Sequence, residues 1–149
     1  ARGAWAKGQT EHLLQGAQVT FLADTNILGE LARPRPNRGV MAWANQVAAL
    51  NLSVVTLEEI HYGLSWRPND RIASWFEKFF SEQCRVLPVT EEIARRAGDL
   101  RGRLRAKGET RSQADMLIAA TALAHRLTLV TRNEGDFEDS GVIVLNPFA

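Results

Sequence analysis

The stretch Val19-Thr20-Phe21-Leu22-Ala23-Asp24-Thr25-Asn26 decides how this chain folds. Its first five residues are uncharged and mostly apolar, the pattern of a strand covered on both faces, as in a parallel sheet. A carboxylate follows at once, where the chain would leave the sheet. Thr20–Ala23 is thus the first candidate strand; Leu52–Val55, Arg85–Val89, Thr128–Thr131 and Val142–Leu145 are the others. Helical patterns separate them, at Thr25–Ala32, Val40–Leu50, Leu57–Leu64, Arg71–Glu82, Glu91–Ala106 and Ser112–Arg126. Pro34 and Pro36 stop the first helix, because proline lacks the N–H donor and clashes with the preceding turn. Ile72, Trp75, Phe76 and Phe79 share one face of the fourth. Ile93, Ala97, Leu100 and Leu104 form an apolar stripe on the fifth, with arginines opposite. The sixth is apolar nearly all round, which predicts burial. Strands alternating with helices predict parallel pairing through crossovers, and hence an α/β fold: a three-layer α/β/α sandwich on a central, mainly parallel sheet.

In such sheets, sites form outside the carboxyl ends of the strands. Asp24 stands there directly. Glu59 follows the second candidate strand, in Thr56-Leu57-Glu58-Glu59-Ile60-His61-Tyr62-Gly63. Asp136 follows the fourth, in Thr131-Arg132-Asn133-Glu134-Gly135-Asp136-Phe137. Asp115 opens the buried sixth helix. Each acid has an ordinary structural reading as well. Asp24 serves as a helix cap; Thr56-x-x-Glu59 and Ser112-x-x-Asp115 read as capping boxes; Asp136 reads as a turn residue. Four acids from four segments at one sheet edge carry more weight than any one of them. Carboxylates gathered that closely repel, and need protons or a cation. No lysine or arginine directly adjoins Asp24, Glu59 or Asp115 in sequence. Oxygen donors without a cysteine or histidine pair favour a hard cation, Mg²⁺ or Mn²⁺, and the arrangement suits phosphodiester hydrolysis. His12, His61 and His125 lack metal-ligand spacing, and no glycine-rich phosphate loop is present.

The 149 residues fit one domain, and the 45% hydrophobic and 23% charged content is that of a globular protein with a real core. Net charge is only +1, but it is unevenly spread. Residues 95–111 hold seven basic residues against two acidic, a local +5, and the rest holds eleven basic against fifteen acidic, or −4. A basic segment beside an acidic pocket suits an anionic polymer laid over a bound cation. Cys84 is the only cysteine, so no intrachain disulfide forms; this fits a reducing, cytoplasmic setting. No apolar run reaches the length of a membrane span. Residues 1–18 stand apart in composition, with a short candidate helix at Glu11-His12-Leu13-Leu14. They are expected to be an extension, a processed segment or a tag before a nuclease-like domain over 19–149.

These strings together resemble the PIN-domain ribonucleases, especially the VapC/FitB-like toxins of bacterial toxin–antitoxin pairs. The resemblance runs over about residues 19–147. It rests on Leu22-Ala23-Asp24-Thr25-Asn26-Ile27-Leu28, Glu30-Leu31-Ala32-Arg33-Pro34-Arg35-Pro36, the Ser53–Gly63 segment around Glu59, Ala114-Asp115-Met116-Leu117-Ile118-Ala119-Ala120-Thr121-Ala122, and Leu129–Phe137. It implies a Mg²⁺- or Mn²⁺-dependent endoribonuclease with Asp24, Glu59, Asp115 and Asp136 as catalytic acids, Asp24 and Asp115 being the expected metal ligands. Thr25, Asn26, Thr131 and Asn133 are expected as polar supports. Many relatives carry an aspartate where Asn133 stands. The implied partners are an RNA substrate, a cognate antitoxin whose segment covers the acidic pocket, and a second copy in a homodimer; operator DNA is reached only through the antitoxin. Arg101, Arg103, Arg105 and Arg111 are candidates for gripping the RNA backbone, against the plainer reading of a solvated helix face. Core packing is expected for most of Trp43, Trp66, Trp75, Phe76, Phe79 and Phe80.

Two other functions compete. A non-catalytic PIN-like subunit of an antitoxin–operator complex should have lost acids, and this chain keeps all four. A response-regulator-like phosphoacceptor domain expects paired acids after the first strand and a lysine after the last. Asp24 stands alone after its strand, and the chain closes on Pro147-Phe148.

Overall fold

A computed structural model describes residues 20–149. Residues 1–18, with His12 and the candidate helix at residues 11–14, lie outside the described residues, as does Val19. From Thr20 the order is β1 (Phe21–Ala23), α1 (Thr25–Leu31), α2 (Arg38–Ala44), β2 (Leu50–Ser53), α3 (Val54–Trp66), α4 (Asp70–Gln83), β3 (Cys84–Leu87), α5 (Glu91–Ala106), α6 (Gln113–His125), β4 (Thr128–Val130), a single 3₁₀ turn (Glu134–Phe137) and β5 (Val144–Leu145).

The sheet is parallel throughout, in the order β3-β2-β1-β4-β5. Strand alternation divides the core in two. Leu22 and Leu129 face one layer with Ile93, Ala97, Leu100 and Leu104 of α5 and Met116, Ile118 and Ala119 of α6. Ala23 and Val130 face the other, with Ile27 and Leu28 of α1, Val40 of α2, Ile60 of α3, and Phe76 and Phe79 of α4. Both faces of the sheet are thus covered, as the uninterrupted apolar strands require. Each fully buried leucine here contributes roughly 1.5–3 kcal/mol by leaving water.

Several boundaries differ from the sequence expectation, each for a local reason. The second strand lies two residues earlier than Leu52–Val55. The Ser53 hydroxyl accepts the Val55 N–H at 3.0 Å and caps α3, so Val54 and Val55 turn into the helix. Thr56 is therefore no cap; it is wholly buried inside the first turn of α3. The second helix ends at Ala44, short of Leu50, because Leu50 pairs with Cys84 in the sheet. The third strand stops at Leu87, before Pro88, which has no N–H for the ladder. The fifth shrinks to Val144–Leu145 because Gly141, at φ +87°, bends the chain just before it.

The exit from α5 brings the chain to the start of α6. After α5, the Gly108 N–H bonds the Arg105 carbonyl and the Glu109 N–H bonds that of Leu104, both at 2.9 Å. Gly108 takes φ +85° in this Schellman turn, a conformation that costs glycine little. The turn sends residues 109–112 back toward the start of α6.

Candidate active site

The chain runs outward from β1 on one side through β2 and β3, then returns to β4 on the other side of β1. The carboxyl ends of β1 and β4 therefore flank the reversal in strand order, where open α/β sheets hold ligands. Asp24 and Thr131 stand there. The Asp24 N–H continues the ladder to the Val130 carbonyl at 2.9 Å. Asp24 is 5% exposed and does two jobs. Its Oδ1 accepts the Thr25 N–H at 2.8 Å and caps α1. Its Oδ2 accepts the Thr131 hydroxyl at 2.8 Å and the Asn26 amide at 3.1 Å. The structural and functional readings of Asp24 coexist.

Around this pair the expected polar supports close a network. Asn26 also donates to Thr131 Oγ1 at 3.2 Å, and its own carbonyl oxygen accepts the Arg132 N–H at 3.1 Å. Asn133 takes part through its backbone N–H, which donates to Thr131 Oγ1 at 3.1 Å. The Asn133 side chain is exposed and makes no hydrogen bond among the described residues. The Thr25 hydroxyl donates to Glu59 Oε1 at 2.7 Å and lies 3.3 Å from the hydroxyl of Thr56. Thr56 is a site residue that the capping-box reading misplaced. Its position three residues before Glu59, on the same side of α3, is the sequence signal that finds it.

Asp115 sits in the first turn of α6, where Ser112 caps the helix by accepting the Asp115 N–H at 3.1 Å. Asp136 lies exposed on the 3₁₀ turn, held from beneath by Phe137, which is 2% exposed and part of the α5–α6 core layer. The electrostatics join the four acids. Burial raises the Asp24 carboxyl above the ordinary aspartate value; bonds from Thr131 and Thr25 oppose this, and the Glu59 charge adds to it. Burial likewise raises Asp115, opposed by Ser112, with the Asp24 and Asp136 charges pushing further in the same direction. Asp24 thus feels Glu59, while Asp115 feels both other aspartates.

None of the four forms an ion pair with a described lysine, arginine or histidine; the ion pairs among described residues are Arg33–Glu30, Arg95–Glu91, Arg96–Glu92 and Arg111–Glu109. No described cation therefore relieves their repulsion. Among the described residues no three acids, histidines or cysteines close into a ready-made metal cage. An ion held by one or two carboxylates and several waters, the usual manner of Mg²⁺, does not need such a cage.

Beside the acids, a cleft of about 560 Å³ runs between α3 and α6, lined by Val54, Val55, Glu58, Glu59, Tyr62, Gln113, Ala114 and Leu117. Tyr62 and Trp66 continue outward from it on the same helix, 65% and 66% exposed, with their rings stacked at 6.5 Å and the Arg67 guanidinium 4.6 Å from the Trp66 ring. Trp66 is thus an exception to the expected core packing, whereas Phe76 and Phe79 are buried. Arg101, Arg103 and Arg105 are exposed on α5. Arg111 is not a free surface cation: its side chain is 14% exposed and engaged with neighbouring acceptors.

Residues 21–141 match the PIN domain family. The chain is 33% identical over 136 residues to a VapC ribonuclease of Sinorhizobium fredii, covering 86% of this chain and 97% of the relative. It is 32% identical to toxin FitB of Neisseria gonorrhoeae, covering 86% and 98%. Among solved structures it superposes on the FitAcB complex of Neisseria gonorrhoeae with a TM-score of 0.75 at 32% identity, covering 86% of this chain and 98% of that one. It superposes on Rickettsia felis VapBC2 bound to a promoter DNA fragment with a TM-score of 0.76 at 26% identity, covering 86% and 98%. The chain belongs to the PIN-domain family, among its VapC/FitB-type ribonuclease toxins.

Proposed function

We propose that this protein is a divalent-metal-dependent endoribonuclease, the toxin of a toxin–antitoxin pair acting in the cytoplasm. The observation that carries the reading is a chain of four carboxylates from four segments, in which Glu59 acts on Asp24, and Asp24 and Asp136 act on Asp115, with no described cation paired to any of them. Asp24 and Asp115 would hold Mg²⁺ or Mn²⁺. When bound, the ion lowers the pKa of a water and offsets charge growing on the phosphate oxygens. Thr131, Asn26 and the Thr25 N–H fix the Asp24 carboxylate, so it need not reorganise as charge develops. Glu59, whose Oε1 accepts the Thr25 hydroxyl, or Asp136 would accept the proton of the attacking water. As the water oxygen bonds to phosphorus, the bond from phosphorus to the departing ribose oxygen breaks, and that oxygen is protonated from solvent. Purified protein should cut a structured RNA in Mn²⁺ and not in chelator. Equal cutting in both would overturn the metal requirement.

The cleft beside Glu59 fits an inhibitory antitoxin segment. Val54, Val55, Tyr62 and Leu117 offer apolar walls, and Glu58 and Glu59 offer negative charge to an incoming arginine. The relatives' solved structures include a toxin–antitoxin complex and assemblies bound to DNA fragments, which supports an antitoxin partner; in this proposal the toxin is a homodimer that reaches operator DNA only through the antitoxin. Arg101, Arg103 and Arg105 would supply phosphate contacts, which give affinity without sequence choice. Reversing all three to glutamate should weaken RNA binding and reduce its salt dependence by about 0.7 log units per lost contact. An unchanged salt slope would leave them as solvated charges.

A further inference from the structure

Arg111 is the last cation of the basic 95–111 segment and the one among them that is not exposed. It precedes Ser112, the cap of the helix that presents Asp115. Its Nη2 donates to the Glu138 carbonyl at 3.3 Å and to Glu109 Oε2 at 3.4 Å, and its Nη1 reaches the Thr110 carbonyl at 3.5 Å. Its own carbonyl accepts Arg101 Nε at 3.3 Å. Glu138 follows the 3₁₀ turn that carries Asp136, and its N–H bonds back to Gly135. One guanidinium therefore spans the two segments that present Asp115 and Asp136, and forms an ion pair with neither acid. These two negative charges repel, and while Phe137 anchors the Asp136 turn to the core from beneath, Arg111 ties it sideways to the segment that leads into the Asp115 helix. Arg111 Nε is buried and finds no partner among the described residues, a cost that a surface cation gripping RNA would not incur.

We infer that Arg111 is a positioning residue: it clamps the Asp136 turn against the cap of the Asp115 helix and so sets the spacing of the two acids. The inference rests on the nuclease reading for its kinetic consequence, though not for its structural one. Losing the clamp should lower kcat by about 10- to 100-fold, the scale of a misplaced catalytic group, while leaving KM for RNA nearly unchanged. A phosphate-gripping arginine gives the opposite split, with KM raised and kcat kept. The conservative variant separates the roles again. Lysine preserves a phosphate contact as a point charge, but its single ammonium cannot reproduce a fork reaching Glu138 and Glu109 together.

The test compares wild type, Arg111→Lys and Arg111→Ala in two assays. Amide hydrogen exchange, run without RNA, should accelerate several-fold across residues 134–140 in both variants, with β1 and β4 unchanged. That arm decides the clamp even if the protein proves not to cleave RNA, and intact protection of the strands shows that the variants fold. Steady-state cleavage should show the kcat loss in both variants, unrescued by lysine. Unchanged exchange over 134–140, or a lysine variant with wild-type kcat, would overturn the clamp.

Discussion

Asp24→Asn is expected to reduce RNA cleavage by roughly 10³-fold or more, about 4 kcal/mol of barrier, while leaving the fold intact. The two effects separate because Asp24 has two oxygens with two duties. Oδ1 caps α1, and asparagine caps helices about as well as aspartate. Oδ2 gathers the Thr131 and Asn26 donors around a full negative charge; an asparagine that keeps the cap brings a neutral NH2 there, which carries no charge and accepts neither bond. The pH dependence of stability gives a second, independent readout of the same carboxyl. Burial raises the Asp24 carboxyl, so the folded state keeps that proton to higher pH than the unfolded chain does. The metal-free protein therefore loses stability as pH rises from the ordinary aspartate value through the raised folded value, and the loss is complete above it. Asp115 is raised as well and adds a loss of the same sign. In chelator, the melting temperature of Asp24→Asn should depend less on pH across the acidic range than that of wild type, because the titrating carboxyl is gone. A strong drop in melting temperature would mean that the charge is structural and that lost cleavage reports unfolding.

Phe137→Ala should be the most damaging of the packing changes around the site. Phe137 is 2% exposed and lies against the α5–α6 layer. Truncating a buried phenylalanine costs about 3–5 kcal/mol, a large share of the roughly 5–15 kcal/mol that holds a domain of this size together. Phe137 is also the only buried residue of the 3₁₀ turn, so it anchors Asp136, its neighbour in sequence. Denaturant unfolding should show the midpoint falling with little change in slope. Cleavage per folded molecule should fall too, because the turn would no longer hold Asp136. Wild-type specific activity at full folding would show that Asp136 needs no anchor.

Much of this was legible in the chain, and the misses share a physical origin. The five strands and six helices follow from period and punctuation. Glu91–Ala106 comes out at its observed bounds because Thr90 caps one end and Gly108 turns the other. The acids were legible because carboxylates after apolar runs are hard to place in any core. Local competition was not. Ser53, three residues before Thr56, takes the cap of α3; this ends the strand two residues early and changes the role of Thr56. Contacts across long sequence separations were invisible. Thr25 reaching Glu59, and Arg111 reaching the Glu138 carbonyl, depend on crossovers whose geometry periodicity does not encode. Arg111 was grouped with its exposed neighbours because a charge run shows sign and spacing without burial.

The central claim is that Asp24 and Asp115 bind one divalent cation together, and calorimetric titration of the metal-free protein with Mn²⁺ tests it most directly. Wild type should show saturable binding at pH 7 that weakens on acidification, as the two raised carboxyls take up protons, and Asp24→Asn and Asp115→Asn should each abolish most of it. Wild type that takes up no Mn²⁺, or a double variant that binds as tightly as wild type, would contradict it.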